Sequence, residues 1–251
     1  MLTHLSLFSG IGGLDLAAEW AGFKTIGFVE RDKFCQRVLA KHWPGVPIHS
    51  DVTEFVGSRG SADCISGGFP CQDISYAGAG LGLRGARSGL WREYARIISE
   101  VGPRYVVVEN VAALLDRGMA EVLGTLSDLG FNAEWSLVSA CSVGAPHMRQ
   151  RVFIMAYTNS IDGWPRLRDS IARSFQQVQA IDGTPRARTG WQARMANPSR
   201  LYRNADGVPF RLERNRAIGN AVSPRQAYPI FRAIADFESQ RCSFPLPTSC
   251  A

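Results

Sequence analysis

The sequence lacks several features that would restrict its class. No apolar run approaches the ~20 residues that a membrane-spanning helix needs, and the first residues lack the basic and apolar regions of a signal peptide. The six cysteines include no Cys-x-x-Cys pair and no zinc-ligand spacing, so neither a metal site nor a disulfide is expected. We therefore expect a soluble, intracellular protein with reduced thiols, one of which could serve as a nucleophile.

Lysine is missing from one segment, residues 157–216, which holds eleven arginines and five acidic residues. The rest of the chain has 17 basic and 17 acidic side chains, so the whole net charge of +6 lies in this segment. The segment is also rich in Gly, Pro, Asn and Gln and has no sustained hydrophobic periodicity. On charge alone, a solvated basic surface and a face that contacts phosphates explain it about equally well.

The first part of the chain alternates strand-like and helix-like segments. Such alternation favours a mostly parallel sheet with helices on both faces, whose ligands bind at the carboxyl ends of the strands. We expect residues 1–157 to form this domain, 158–215 a small irregular basic lobe, 216–239 a segment that completes the domain, and 240–251 a flexible tail. The predicted strands are Thr3–Phe8, Thr25–Glu30, Ala62–Gly67, Arg104–Glu109, Ala133–Ser139 and Val152–Tyr157, and the predicted helices are Gly12–Trp20, Lys33–Lys41, Ser88–Val101, Met119–Leu129 and Pro224–Phe237.

A glycine-rich loop, Leu7–Gly13, follows the first predicted strand and opens a helix, which is typical of a nucleotide site. Glu30 follows about 20 residues later at the end of the next strand, where a carboxylate can accept hydrogen bonds from ribose hydroxyls. A dinucleotide-binding protein would also satisfy this pattern. Asp15, however, stands where a pyrophosphate site has its third glycine, and we expect its carboxylate to repel a diphosphate. An adenosine ligand without phosphates, such as S-adenosylmethionine, is therefore predicted.

Other polar residues with chemical potential also fall at predicted strand ends. Cys71 follows a buried strand, and the usual structural role of a buried cysteine fits Cys64, inside that strand, better. Glu109 ends the strongest predicted strand. Arg149 and Arg151 enter a late strand two residues apart, so alternation directs both side chains to one face.

Asp51 follows the short stretch Val46–His49 and is open to two interpretations. It is either a third carboxylate at a strand end or an ordinary helix N-cap before Val52. The sequence alone leaves both possible.

Together and in this order, these motifs resemble the DNA (cytosine-5) methyltransferase family, over residues 4–156 and 207–235. The resemblance implies an α/β, Rossmann-like S-adenosylmethionine-dependent methyltransferase fold with a small target-recognition lobe. It implies methyl transfer from S-adenosyl-L-methionine to C5 of cytosine in double-stranded DNA, leaving S-adenosyl-L-homocysteine. The expected path is a covalent bond between Cys71 and C6 of a cytosine flipped out of the duplex.

The resemblance also assigns roles to individual residues. The catalytic residues are expected to be Cys71, Glu109, Arg149 and Arg151, and the residues that contact DNA are expected to be Gln72, Ser75 and Arg87. The expected cofactor-binding residues are Phe8, Gly10, Gly12, Gly13, Leu14, Glu30, Asp51, Val52, Gly68, Pro70, Leu90, Asn220 and Ala221.

Three other functions are compatible with a fold of this kind but fit these residues less well. The tRNA-directed branch of the family carries a Cys-Phe-Thr signature, and amino-methyltransferases carry an Asn/Asp-Pro-Pro-aromatic loop; this sequence has neither. A nucleic-acid-binding module that lost turnover is disfavoured because Cys71, Glu109 and both arginines are all present. The resemblance further implies a prokaryotic or phage-encoded, cytoplasmic, nucleoid-associated protein. Neither metal nor membrane contact is expected from the composition, and a monomer is the default. It specifies neither the target sequence nor a restriction-modification partner.

Overall fold

The computed structural model describes residues 1–70, 89–145, 148–161, 167–174 and 217–243. These residues form one seven-stranded sheet flanked by helices. The strands are β1 (Thr3–Leu7), β2 (Lys24–Val29), β3 (Ile48–His49), β4 (Cys64–Gly67), β5 (Tyr105–Val111), β6 (Phe131–Ser139) and β7 (Gln150–Thr158). The helices are α1 (Gly13–Trp20), α2 (Lys33–His42), α3 (Gly89–Val101), α4 (Leu114–Arg117), α5 (Met119–Asp128) and α6 (Pro224–Ser243), with a 3-10 turn at Cys141–Val143 and short helical segments over 167–174 and 217–220.

The strand order is β3-β2-β1-β4-β5-β7-β6. Strands β1 to β5 pair in parallel, β7 runs antiparallel to β5, and β6 runs antiparallel to β7. Because the parallel strands all end at one edge, the loops after β1, β2, β4 and β5 meet there. The sequence-based prediction of a mostly parallel sheet with helices is confirmed.

The central strands are buried on both faces. In β5, Val106 and Val108 pack into a cluster with α3 and α5, whereas Tyr105 and Val107 pack into a second cluster with α1 and α6. Covering both faces requires an uninterrupted apolar run rather than alternation, which is why Tyr-Val-Val-Val was a strong strand signal.

Strand and helix boundaries predicted from sequence differ from the structure by one or two residues, except at the end of α6. Helix α4 and the 3-10 turn were not predicted, because single turns carry no periodicity. Helix α6 continues to Ser243, past the predicted start of the tail at Gln240. Its end is fastened by Glu238, whose carboxylate accepts hydrogen bonds from Arg104 Nη1 at 2.6 Å and the Tyr105 hydroxyl at 2.5 Å.

The main domain also extends beyond residue 157. Ile161, Leu167 and Ile171 are buried in the cluster that contains α1 and α6. The described part of the predicted basic lobe, 158–161 and 167–174, thus contributes to the core of the α/β domain, and the remainder of 158–215 lies outside the described residues. Among the described helices, none combines the length and apolar character of a membrane span.

Candidate functional site

A cavity of about 960 Å³ opens at the carboxyl ends of the parallel strands. It is bounded by the loops after β1, β2, β3 and β4, the end of β5, the start of α3, the start of β7 and the 217–220 segment. Nine of the predicted cofactor-binding residues line it: Phe8, Gly10, Glu30, Asp51, Val52, Gly68, Pro70, Leu90 and Asn220. Glu109, Arg149 and Arg151, the predicted catalytic residues that the structure describes, line the same cavity. The structure therefore brings together side chains separated by up to 212 positions in the chain.

The loop after β1 makes a tight turn beside this cavity. Phe8 has φ 51° and Gly10 has φ 57°, both in the left-handed region. This conformation is strained for a phenylalanine, and strain of this kind is concentrated at ligand sites. The Phe8 ring stacks on Tyr94 of α3 with centroids 6.2 Å apart, which holds the turn in place.

Glu30, just after β2, fastens that turn. Its two carboxylate oxygens accept hydrogen bonds from the backbone N–H of Gly10 at 2.6 Å and of Asp32 at 2.7 Å. Each oxygen keeps a second lone pair for a ligand hydroxyl. Burial raises the pKa of Glu30, and the two backbone donors oppose that increase.

Three further residues of the glycine loop lie behind the cavity rather than on its wall. A Cβ at Gly12 would lie 2.6 Å from the Trp43 ring, and a Cβ at Gly13 would lie 2.5 Å from the carbonyl oxygen of Val222. Leu14 is buried in the apolar cluster under α1. The two glycines allow the loop to pack closely against Trp43 at the end of α2 and against Val222, so they shape the site from behind. Ala221 is likewise not among the residues that line the cavity.

Asp15 is a correction to the sequence analysis. It is completely buried beneath α1, with a carboxylate oxygen 3.7 Å from Nδ1 of the equally buried His4. The prediction that Asp15 repels a diphosphate was wrong, because its side chain is on the face of α1 that packs on the sheet, away from the cavity. Burial raises the pKa of Asp15 to about 7 and lowers that of His4 to about 3.

Asp51 lines the same cavity as Glu109. Its carboxylate accepts hydrogen bonds from the backbone N–H and the hydroxyl of Thr53, at 2.9 and 2.8 Å, and caps a turn rather than a helix. These two hydrogen bonds lower the pKa of Asp51. The same turn is held by Arg96 of α3, whose Nη2 donates to the carbonyl oxygens of Val52 and Phe55, each at 2.9 Å.

Glu109 and Arg151 form an ion pair on the cavity wall, with Nε 2.7 Å from Oε1. The pair joins β5 to the antiparallel β7, and the two side chains are only 12% and 16% exposed. Burial raises the pKa of Glu109, although Arg151 and Arg149 act in the opposite direction. Gly68 permits this arrangement, since a Cβ there would lie 2.6 Å from Oε2 of Glu109. The site thus combines a carboxyl group of raised pKa with a neighbouring cation.

Arg149 precedes β7 on the same wall. Its Nη1 donates to the carbonyl oxygen of Gly219 at 2.6 Å, while Nε and Nη2 are buried without a hydrogen-bond partner among the described residues. Burial and the charge of Arg151 lower the pKa of Arg149, and Glu109 opposes this. A buried guanidinium with two unused donors is suited to an anionic or carbonyl acceptor supplied by a ligand.

Sequence reasoning missed several residues of the cavity wall. Asn110 is 3% exposed; its Nδ2 donates to the carbonyl oxygen of Phe69 at 3.2 Å, and its Oδ1 accepts from the N–H of Val111 at 2.9 Å. It therefore ties the end of β5 to the chain just before Pro70. Adjacency to Glu109 was the only signal for it. Arg31, Asp32, Cys35, Thr53 and Ala217 also line the cavity.

Four predicted functional residues lie outside the described residues: Cys71, Gln72, Ser75 and Arg87. The chain is described up to Pro70, which lines the cavity and immediately precedes Cys71. Within the described ranges, no group of three or more His, Cys, Asp or Glu side chains is arranged to hold a metal ion.

Comparison with known proteins bears on this geometry. The family described as C-5 cytosine-specific DNA methylase matches residues 2–189. The Type II methyltransferase M2.BsuMI of Bacillus subtilis is 38% identical over 160 residues, which are 61% of this chain and 41% of that protein. The Type II methyltransferase M.Eco47II of Escherichia coli is 36% identical over 176 residues, 65% of this chain and 42% of that protein. The chain thus matches about two fifths of the length of these relatives.

Solved structures resemble the fold. A prophage-encoded E. coli protein described as a DNA modification methyltransferase superposes with a TM-score of 0.54 at 26% identity, covering 64% of this chain and 47% of that one. The S. pombe Dnmt2 methyltransferase superposes with a TM-score of 0.57 at 21% identity, covering 70% and 55%. The second likeness concerns the fold alone.

Proposed function

The chain belongs to the C-5 cytosine-specific DNA methylase family, and from that premise we propose that it transfers a methyl group from S-adenosyl-L-methionine to C5 of cytosine in double-stranded DNA. The observation that carries the proposal is the Glu109–Arg151 ion pair on the wall of the cavity that also contains Glu30. A carboxyl group of raised pKa and a cation suit the addition chemistry of cytosine, and Glu30 suits a nucleoside. Both lie in one cavity.

The residues present fit the proposed cofactor. Glu30 keeps lone pairs for ribose hydroxyls, and Asp51, Val52 and the turn through Gly10 line the same cavity. The cofactor supplies an electrophilic methyl group when it is bound. Phe8, Leu90 and Pro70 would exclude water from its apolar parts.

Cytosine C5 is too weakly nucleophilic to accept a methyl group directly. We assign Cys71 as the thiolate that adds to C6, because thiolates are strong nucleophiles and leave readily by elimination. The addition makes C5 an enamine carbon able to form the new bond to methyl. Loss of the C5 proton to a base then expels the thiolate and restores the aromatic ring, so the enzyme is regenerated.

Glu109 and the two arginines would stabilise the charge that this addition develops on the ring. A protonated Glu109 can donate to N3, and burial already raises its pKa in the direction required. Arg151, 2.7 Å from Glu109, is assigned to O2, with Arg149 beside it. Electrostatic groups fixed in advance in a site shielded from water act most strongly, and these side chains are largely buried.

The target atoms of cytosine are inside the DNA stack, so the proposal requires the base to be flipped into the cavity, at a cost of a few kcal/mol. Gln72, Ser75 and Arg87 are assigned to DNA contacts, and the arginine-rich segment 157–216 to phosphates and base edges. We propose a bacterial or phage methylase of the restriction-modification kind, acting as a monomer.

The proposal is tested by expressing the chain in a bacterial host without cytosine methylation and sequencing bisulfite-treated host DNA. We expect protected cytosines in one short sequence context, and complete loss of protection in Cys71→Ser. Because serine is nearly isosteric, the variant is expected to fold and bind DNA normally.

Equal protection by Cys71→Ser and the parent would exclude the covalent route. If bisulfite converts every cytosine of the host DNA although the parent protein is soluble, the same assay is applied to structured RNA. Complete conversion there as well would favour a nucleic-acid-binding protein without turnover.

A further inference from the structure

Gln226 is a completely buried polar side chain on α6 that is not part of the cavity wall. Its Nε2 donates to the carbonyl oxygens of Val138 at 2.8 Å and Arg149 at 3.0 Å. Both partners are acceptors, so only the amide nitrogen, with its two protons, can face them. A buried amide costs stability unless it is hydrogen-bonded, so these two bonds fix the side chain in place.

The carbonyl oxygen of Arg149 is held from two sides. It accepts one hydrogen bond from Gln226 and another from the backbone N–H of Ala140 at 2.9 Å. These use both of its lone pairs. The main chain at Arg149 is thereby clamped between the end of β6 and helix α6, just before β7 begins.

The side chain of Arg149 is held by the same late part of the chain. Its Nη1 donates to the carbonyl oxygen of Gly219, seven residues before Gln226. Segment 217–226 therefore contacts Arg149 at the main chain and at the guanidinium. It also contacts the cofactor loop, because Val222 packs against Gly13 so closely that no Cβ would fit there.

We propose that Gln226 is a positioning residue that sets the placement of the Arg149 side chain relative to Glu109. This inference rests on the proposed function of the cavity. Gln226 does not line the cavity, so its removal is expected to slow methyl transfer while leaving cofactor binding intact. A displacement near 1 Å of a catalytic group is enough to cost about 10²-fold in rate.

The first experiment compares the parent with Gln226→Leu and Gln226→Met, which keep the volume but remove the donors. Single-turnover transfer of labelled methyl to unmethylated DNA is expected to fall about ten- to hundredfold in both. The dissociation constant for S-adenosyl-L-homocysteine, measured by calorimetry, is expected to change less than about threefold. Arg232→Gln, on the exposed face of the same helix, is the matched control and keeps the parent rate.

The second experiment is a double-mutant cycle with Arg149→Ala. If Gln226 acts through Arg149, Gln226→Leu costs little further rate once the arginine is absent. Independent, multiplying losses would overturn the proposal, as would a parallel weakening of cofactor binding that accounts for the whole loss.

Hydrogen exchange separates this proposal from the proposed function. In Gln226→Leu the amide of Ala140, bonded to the Arg149 carbonyl, is expected to exchange faster than in the parent, whereas the amides of α1 keep their rates. A parent that transfers no methyl group would contradict the proposed function alone. Unchanged exchange at Ala140 would contradict the positioning role whether or not the parent is active.

Discussion

Two buried carboxyl groups, Glu109 and Asp15, have the same direction of pKa shift and opposite surroundings. Burial raises the pKa of both. Glu109 faces the cavity and has Arg151 at 2.7 Å, whereas Asp15 is sealed under α1 beside a neutral His4. A perturbed pKa therefore identifies a reactive group only when the group also faces a cavity that can hold a ligand. We therefore propose a catalytic role for Glu109 and expect Asp15 to affect stability.

Replacing the carboxyl group of Glu109, and with it the acidic proton, is expected to reduce activity most. Glu109→Gln is expected to lower the single-turnover methylation rate by about 10²–10⁴-fold, because the amide cannot supply general acid assistance. In the parent the rate is expected to fall as the pH rises through the raised pKa of Glu109. A pH–rate profile over pH 5–8 checks this, with Glu121→Gln on the exposed face of α5 as control. A profile that is flat in the parent and identical in Glu109→Gln would remove Glu109 from the mechanism.

The second prediction concerns Asp15 and is measured as a change in the free energy of unfolding. The folded-state pKa is about 7 against an ordinary 3.8, so the unfolded chain ionises first and the parent loses stability as pH rises from about 4 to 7. The free energy of unfolding of Asp15→Asn is expected to lack this loss, so the difference from the parent grows by up to about 4 kcal/mol across that interval.

Urea unfolding at several pH values measures that difference. The buried His4, 3.7 Å from Asp15, acts in the opposite direction, because its lowered pKa removes stability as pH falls below 6.5. Cofactor affinity is expected to stay within about twofold, since Asp15 does not face the cavity. Parallel stability curves for parent and variant would show that Asp15 is ionised in the fold.

The third effect tests how closely Glu109 is held. Gly68→Ala introduces a Cβ that would lie 2.6 Å from Oε2 of Glu109, so the carboxylate is expected to move and loosen its pairing with Arg151. We expect a loss of about ten- to hundredfold in methylation rate. Gly124→Ala in α5 is the matched control, because nothing lies within 4 Å of its added Cβ. Equal rates for the two alanine variants would mean that the position of Glu109 is not critical.

Much of the fold was predictable because the signals are local. The apolar run of β5 and the alternating strands and helices of residues 1–157 are set by neighbours a few positions apart. The strand-end positions of Glu30 and Glu109 followed from the same pattern, and the common edge of parallel strands brought them to one cavity.

The helical pattern of α1 indicated that Asp15 is buried, whereas its spacing from the loop glycines suggested a position next to the ligand. Asp15 lies three residues before Ala18 on the apolar face of α1, together with Leu14. Helical periodicity places residues three apart on one side, so that face indicated the core rather than the ligand.

The order of elements, the sheet edge at which the candidate site lies and the family could be predicted from the sequence, because each depends on short-range periodicity and spaced motifs. The hydrogen bond from Gln226 to Arg149, 77 residues away, and the space that Gly68 leaves for Glu109 became visible only in the folded structure. The same is true of the burial of Ile161, Leu167 and Ile171 in the main core. Such contacts depend on how elements pack, where a single bond or a missing Cβ sets the geometry, and no local pattern encodes that.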